Sequence, residues 1–147
     1  MAADANVRTY DPKKVVVTWG AIIFSGFADG TFVQVARNGD VFEKRRGSDG
    51  SVDRINKNAD DYSVTLTLMQ TSITNDLLSS AMIADQLSNL GVFPLVVKDL
   101  RGTTLFFAAQ AWIAKDPDDE HTDSLGNREW KIDTGIATKF TGGNLLI

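Results

Sequence analysis

Residues 61–70 read DYSVTLTLMQ, and their alternation decides the fold class. Tyr62, Val64, Leu66 and Leu68 fall on one face of an extended chain and Ser63, Thr65 and Thr67 on the other, the period of a strand with one face in a core and one face wet. Residues 72–90 then change period. Ser72 or Thr71 stands as N-cap, Asp76 follows in the first turn and Gly91 waits beyond the end, which is the punctuation of a helix. At about 100° per residue Ile73, Leu77, Ala81, Ala84 and Leu87 share a stripe, widened by Ile83 and Leu90, that is expected to pack on a sheet. Leu78 and Met82 fall near the opposite side and are expected to be exposed, either as candidate inter-subunit contacts or as ordinary scattered surface apolars.

Upstream, residues 13–24 (KKVVVTWGAIIF) are rich in β-branched and aromatic side chains interrupted by Gly20, either two strands joined by a turn or one bulged strand. Residues 31–36 (TFVQVA) and 41–46 (VFEKRR) flank Arg37-Asn38-Gly39-Asp40, where Asn-Gly predicts a hairpin between them. Residues 47–58 (GSDGSVDRINKN) have too few apolar side chains to bury themselves. Together these place a projecting loop or hairpin at about 43–58.

Downstream, residues 93–99 and 103–115 form a second predicted hairpin, and the latter is apolar on both faces, which places it centrally in a sheet. Residues 116–127 are a loop carrying Asp116, Asp118, Asp119 and Glu120. The last strand, 128–140, has Trp130 and Ile132 on one side and Glu129, Lys131 and Asp133 on the other. The tail 141–147 (TGGNLLI) ends in three apolar residues. A mainly β fold with one helix follows, read as a single domain over residues 1–147.

The 147 residues carry 15 basic and 19 acidic side chains, a net charge of −4, with one histidine and no cysteine. Thiolate metal sites, disulfides and thiol catalysis are thereby excluded. The longest apolar runs, 21–24 and 105–109, fall far short of the ~18 residues a membrane helix requires. Residues 1–12 lack the basic start and apolar stretch of a signal peptide, so no targeting segment is expected. An acidic balance also argues against a protein that grips nucleic-acid phosphates, since that takes clustered Lys and Arg.

Catalytic signals are weak. His121 sits in Asp118-Asp119-Glu120-His121-Thr122-Asp123, oxygen and nitrogen ligands at local spacing, but the chain has neither an EF-hand pattern nor paired histidines. No G-x-S-x-G elbow, P-loop or G-x-G-x-x-G string occurs, and neither an enzyme nor a cofactor is expected. The one basic concentration is Lys44, Arg45 and Arg46, followed by Arg54 and Lys57. A charge-based reading pairs Lys44, Arg45, Arg46 and Arg54 with Asp116, Asp118, Asp119 and Glu120 of another copy, a head-to-tail register between identical subunits.

Several strings in order resemble bacteriophage tail tube proteins, the inner tubes of contractile tails. They are Phe27-Ala28-Asp29-Gly30-Thr31-Phe32, Val64-Thr65-Leu66-Thr67-Leu68-Met69-Gln70-Thr71-Ser72 and Gly91-Val92-Phe93-Pro94-Leu95. Lys98-Asp99-Leu100, Gly102-Thr103-Thr104-Leu105, Gln110-Ala111-Trp112-Ile113, Asn127-Arg128-Glu129-Trp130 and Gly142-Gly143-Asn144 add to them, so the resemblance covers nearly the whole chain.

The resemblance implies a small β-barrel or sandwich flanked by the helix, six subunits closing a ring with a continuous inner barrel, and rings stacking into a tube. It implies a sheath protein, a tape measure protein and terminator or baseplate components as partners. DNA would pass through without sequence-specific binding. Synthesis in the host cytoplasm and a place in the virion tail go with it. Six copies at −4 carry −24 formally, which suits a wall that must not hold phosphates. Ser63, Thr65, Thr67, Glu129, Lys131 and Asp133 are the candidate lumen-facing residues, the alternative being that these polar faces look outward toward the sheath, and the long hairpin is expected to reach a neighbouring subunit or ring. Rival readings are the tube of a phage-derived injection machine and a monomeric small-ligand barrel lined by the strand at 103–114. A metal-dependent enzyme built around His121 is a third.

Overall fold

Alternation at β6 (Asp61–Met69) works as the sequence predicts: in the computed structural model Tyr62, Val64, Leu66 and Leu68 are buried. The structure describes residues 6–144; residues 1–5 and 145–147, and with them the end of the apolar tail, lie outside it. Ahead of β6 come β1 (Val15–Trp19), β2 (Ile22–Ile23), β3 (Val33–Arg37), β4 (Phe42–Arg46) and β5 (Val52–Asn56). After it come α1 (Thr74–Ser88), β7 (Phe93–Asp99), β8 (Leu105–Lys115) and β9 (Asn127–Phe140). The described residues are mainly β with one α-helix.

Seven strands form one sheet in the order β2-β1-β7-β8-β9-β6-β3, every pairing antiparallel. The doubly apolar β8 is its central strand, where both faces need covering. Gly20, at φ +58, supplies the left-handed turn that reverses β1 into β2. Val17 on β1 and Val64 on β6 share one buried cluster although three strands lie between them. At about 4.8 Å per strand a flat sheet would hold them far apart, so the sheet curls around its own inner face. Trp19 sits in that core with its indole Nε1 donating 3.0 Å to the Ala111 carbonyl, and the Tyr62 and Phe106 rings meet edge to face at 5.1 Å.

Three expectations are corrected. The sheet is not closed into a barrel: β2 and β3 are its ends and do not pair with each other. The Asn-Gly turn does not join a hairpin, because β3 pairs with β6 and β4 pairs with β5 in a separate two-stranded ladder. A turn signal fixes a chain reversal, whereas pairing depends on which strand offers an apolar face, and β6 does so for Val33 and Val35.

The helix is also rotated from the expected face. Leu78 is 0% exposed, and Ala81 and Met82 pack beside it against the core, while Leu87 is 84% exposed and Ile73, Leu77, Ile83 and Leu90 also face outward. Leu78 is therefore an internal residue and not a contact between subunits, and Met82 is half-buried in its own chain. Polar anchors set the rotation: Thr74 Oγ1 accepts from the Ser25 amide at 3.1 Å, and Asn75 Oδ1 accepts from the Trp130 indole at 2.9 Å. Counting only apolar side chains leaves these two out.

Candidate lumen and assembly surfaces

Alternation on β6 and β9 sends Ser63, Thr65 and Thr67, and Glu129, Lys131 and Asp133, to the outer face of the sheet. The ladder sets them side by side in register, Ser63 opposite Asp133, Thr65 opposite Lys131 and Thr67 opposite Glu129. Ser63 Oγ bonds Asp133 Oδ1 at 3.1 Å and Asn38 Oδ1 at 2.9 Å. Gln34, opposite Thr65 on β3, extends the polar field; its place between Val33 and Val35 was the sequence signal for it. The six candidate residues thus form one surface, and its charged members sum to one negative charge.

The other half of the same outer face exposes large apolar side chains, interrupted by Thr18, Lys98 and Thr138. Ile23, Leu105, Phe107, Ile136 and Phe140 are exposed there, with Val96 opposite Phe107 and Leu105 opposite Phe140. An apolar field of five large side chains on one sheet face is the kind of patch that protein contacts cover.

The acidic loop leads from β8 back to β9. Asp116, Asp118 and Glu120 line a cleft of about 410 Å³ with Lys115, Glu129 and Lys131, so the loop adjoins the polar face. The exposed carboxylate of Asp119 lies 3.7 Å from Nε of the buried Arg128 of its own chain, whose guanidinium also donates to the Glu120 carbonyl. Lys115 reaches Asp118 at 3.7 Å in the open, a weak pair.

Strands β4 and β5 stand apart. All ten of their residues are exposed. The turn at 47–51 is closed by the Gly47 amide donating to the Ser51 carbonyl at 2.7 Å, and by Asp49, whose Oδ1 accepts from the Ser51 hydroxyl at 2.7 Å and from the Ser51 amide at 3.0 Å. The hydroxyl bond first, and the amide bond after it, hold the Asp49 carboxyl below its ordinary value.

Register sorts the hairpin's charges by face. Lys44 stands opposite Arg54, with Arg46 next along, on one side; Arg45 stands opposite Asp53 and Glu43 bonds Lys57 at 3.2 Å on the other. One side is cationic and the other balanced. Arg45 thus parts from Lys44 and Arg46, with which sequence order had grouped it. The Arg54 guanidinium lies over the Phe42 ring at 4.3 Å, which stabilises the cationic side in part. Around His121, among the described residues, no group of three or more His, Asp or Glu side chains converges as a metal site requires.

No family model matches the chain. It is similar to structural protein ORF10 of Pseudomonas phage KPP10, at 29% identity over 95% of this chain and 85% of that protein. Its fold matches the tube-terminating cap of the anti-feeding prophage, with a TM-score of 0.61 at 13% identity over 95% of this chain and 96% of that one.

The chain shares the fold of tail tube and tube-terminator subunits.

The same fold occurs in the sheath–tube complex of the extracellular contractile injection system PVC, with a TM-score of 0.58 at 11% identity over 90% of this chain and 91% of that one. A chain of the native gene transfer agent virion also shares it, at a TM-score of 0.59 and 8% identity over 90% of this chain and 100% of that one. The resemblance to phage tail proteins read from the sequence therefore holds in both comparisons: one in sequence to a phage structural protein, the other in fold to tube and tube-terminator subunits.

Proposed function

We propose that the chain is a subunit of the inner tube of a contractile tail. Six copies close a ring, their sheets join into a continuous inner β-barrel, and the rings stack into the conduit for phage DNA within a sheath. The observation that carries this reading is the hairpin β4–β5. Two strands that bury nothing are marginal in water, and Lys44 facing Arg54 adds repulsion between like charges. Such an element is retained where a partner completes it. The acidic cleft of a second copy, with Asp116, Asp118 and Glu120, has the complementary charge.

The polar half of the sheet face is assigned to the lumen. With Lys131 flanked by Glu129 and Asp133, the face offers DNA phosphates no cluster of cations, so the duplex slides. The apolar half is covered by the next subunit, and the outward helix row of Ile73, Leu77 and Leu87 faces the sheath. The tape measure protein and the terminator or baseplate meet the tube at its axis and ends, in a virion tail assembled in the host cytoplasm. Likeness to a tube-terminating cap favours a second reading, a single ring that ends a tube.

Negative-stain electron microscopy with light scattering over a concentration series separates the two. Hollow tubes support the tube subunit, rings that never stack support the terminator, and a compact monomer at all concentrations contradicts both.

A further inference from the structure

The segment between β8 and β9, residues 116–126, carries five acidic side chains and no lysine or arginine, so its own charges repel one another. It nevertheless lies close against the body of the fold. It roofs a small cavity of about 130 Å³ beside α1 and β9, with Asn75, Ser79 and Trp130 on the floor and Asp116, Pro117 and Asp119 on the loop side. Whatever holds it down has to come from outside the segment.

Gln70 and Arg128 reach it from the body. The Gln70 amide donates to the Gly126 carbonyl at 3.0 Å and the Gly126 amide donates to Gln70 Oε1 at 3.1 Å, which fixes the loop where it re-enters β9. Arg128 reaches further in. It stands opposite Leu68 in the ladder, and its side chain is 8% exposed. Nη2 donates to the Glu120 carbonyl at 3.4 Å, Nη1 donates to the Asn127 carbonyl at 3.3 Å, and Nε lies 3.7 Å from the Asp119 carboxylate. Asp119 is 82% exposed, so that charge pair is weak by itself. The carbonyl bond counts for more, because moving Glu120 away takes an acceptor from a buried cation.

We propose that Arg128 is the positioning residue of the acidic loop. Its guanidinium draws the middle of the loop onto the body beside α1 and so sets where Asp116, Asp118 and Glu120 stand in the cleft next to Lys131. The planar fork serves two carbonyls at once, which a single ammonium does less well. Asp119 belongs to this internal contact and not to the set that faces another copy. That the cleft receives the cationic side of β4–β5 rests on the tube-subunit reading; the clamp on the loop does not.

The free subunit tests the clamp. A glutamate-specific protease cuts after Glu120 in the loop and after Glu43 in the hairpin, so the second cut is an internal reference on a separate element. Arg128→Met keeps an aliphatic stem and removes every bond to the loop. Cleavage after Glu120 is expected to rise about tenfold, with cleavage after Glu43 unchanged and the native fold retained by circular dichroism. Arg128→Lys, which keeps the charge without the fork, is expected to fall between wild type and Arg128→Met, and Asp119→Asn to change the rate less than about twofold. No rise after Glu120, or an equal rise at both sites, overturns the proposal. Should Arg128→Met fail to fold, Arg128→Lys carries the test by the same two criteria. Sedimentation of the same variants then reads assembly: a freed loop in subunits that assemble as wild type supports the clamp and contradicts the docking role of the cleft.

Discussion

The body and the hairpin of this protein obey opposite rules. In the body every strand from β6 to β9 gives alternate residues to one core, and even the helix is turned by Thr74 and Asn75 to bury Leu78. In β4–β5 all ten residues stay in solvent and two like charges face each other across the ladder. The first is a fold complete in one chain; the second, on the proposed reading, is an element that another chain completes. A stable monomer needs no such hairpin, and this difference is what the proposed role in assembly rests on.

The comparison breaks most readily in the core. Leu78→Ala is expected to cost about 2–5 kcal/mol in the free subunit, whereas Val52→Ala in the hairpin changes it by less than about 0.5 kcal/mol. Denaturant unfolding of both variants checks this, and equal losses would mean that the hairpin is part of the monomer's cooperative unit. Asn75→Ala, which removes the partner of the Trp130 indole, is expected to cost about 1–3 kcal/mol in the same assay.

Charge reversal sharpens the other side. Lys44→Glu with Arg46→Glu should leave the melting temperature of the free subunit nearly unchanged and abolish assembly, while Arg45→Glu, on the balanced side, weakens it far less. Sedimentation over a salt series distinguishes them; identical behaviour of the two variants would refute the sorting by face. In the lumen, Thr65→Lys with Asp133→Lys should leave assembly intact and make tubes retain DNA in a salt-dependent way, which a gel-shift assay reads.

The smallest effect is at Asp49. Its folded-state value is depressed, so its contribution is present above the ordinary carboxylate range and is lost as pH falls through the folded value. An NMR titration should show the Asp49 carboxyl titrating below its normal value, and Ser51→Ala, which removes the hydroxyl bond and leaves the amide bond, should move it back toward that value.

How much of this was legible beforehand follows from range. The alternation at Tyr62–Leu68 and the double apolarity of the strand containing Phe106 and Phe107 are local, and both read correctly as a half-buried strand and a central one. The polar residues of β6 and β9 were legible as two sets, but their meeting as Ser63–Asp133 and Thr65–Lys131 is a matter of register between strands far apart in the chain. The turn at Asn38-Gly39 was visible and its partners were not, because β3 had a better apolar match in β6 than in β4. Leu78 was misplaced because two polar residues, Thr74 and Asn75, hold the helix by hydrogen bonds that apolar periodicity ignores. Arg45 was grouped with Lys44 and Arg46 because adjacency in sequence is not adjacency on a strand face.

Hydrogen exchange of the free and the assembled protein tests the central claim most directly. Amides of residues 42–56 are expected to exchange fast in the free subunit and to become protected in the assembly, while β6, β8 and β9 are protected in both. A hairpin that stays fast-exchanging in the assembled state, or that is already protected in the monomer, would contradict the account.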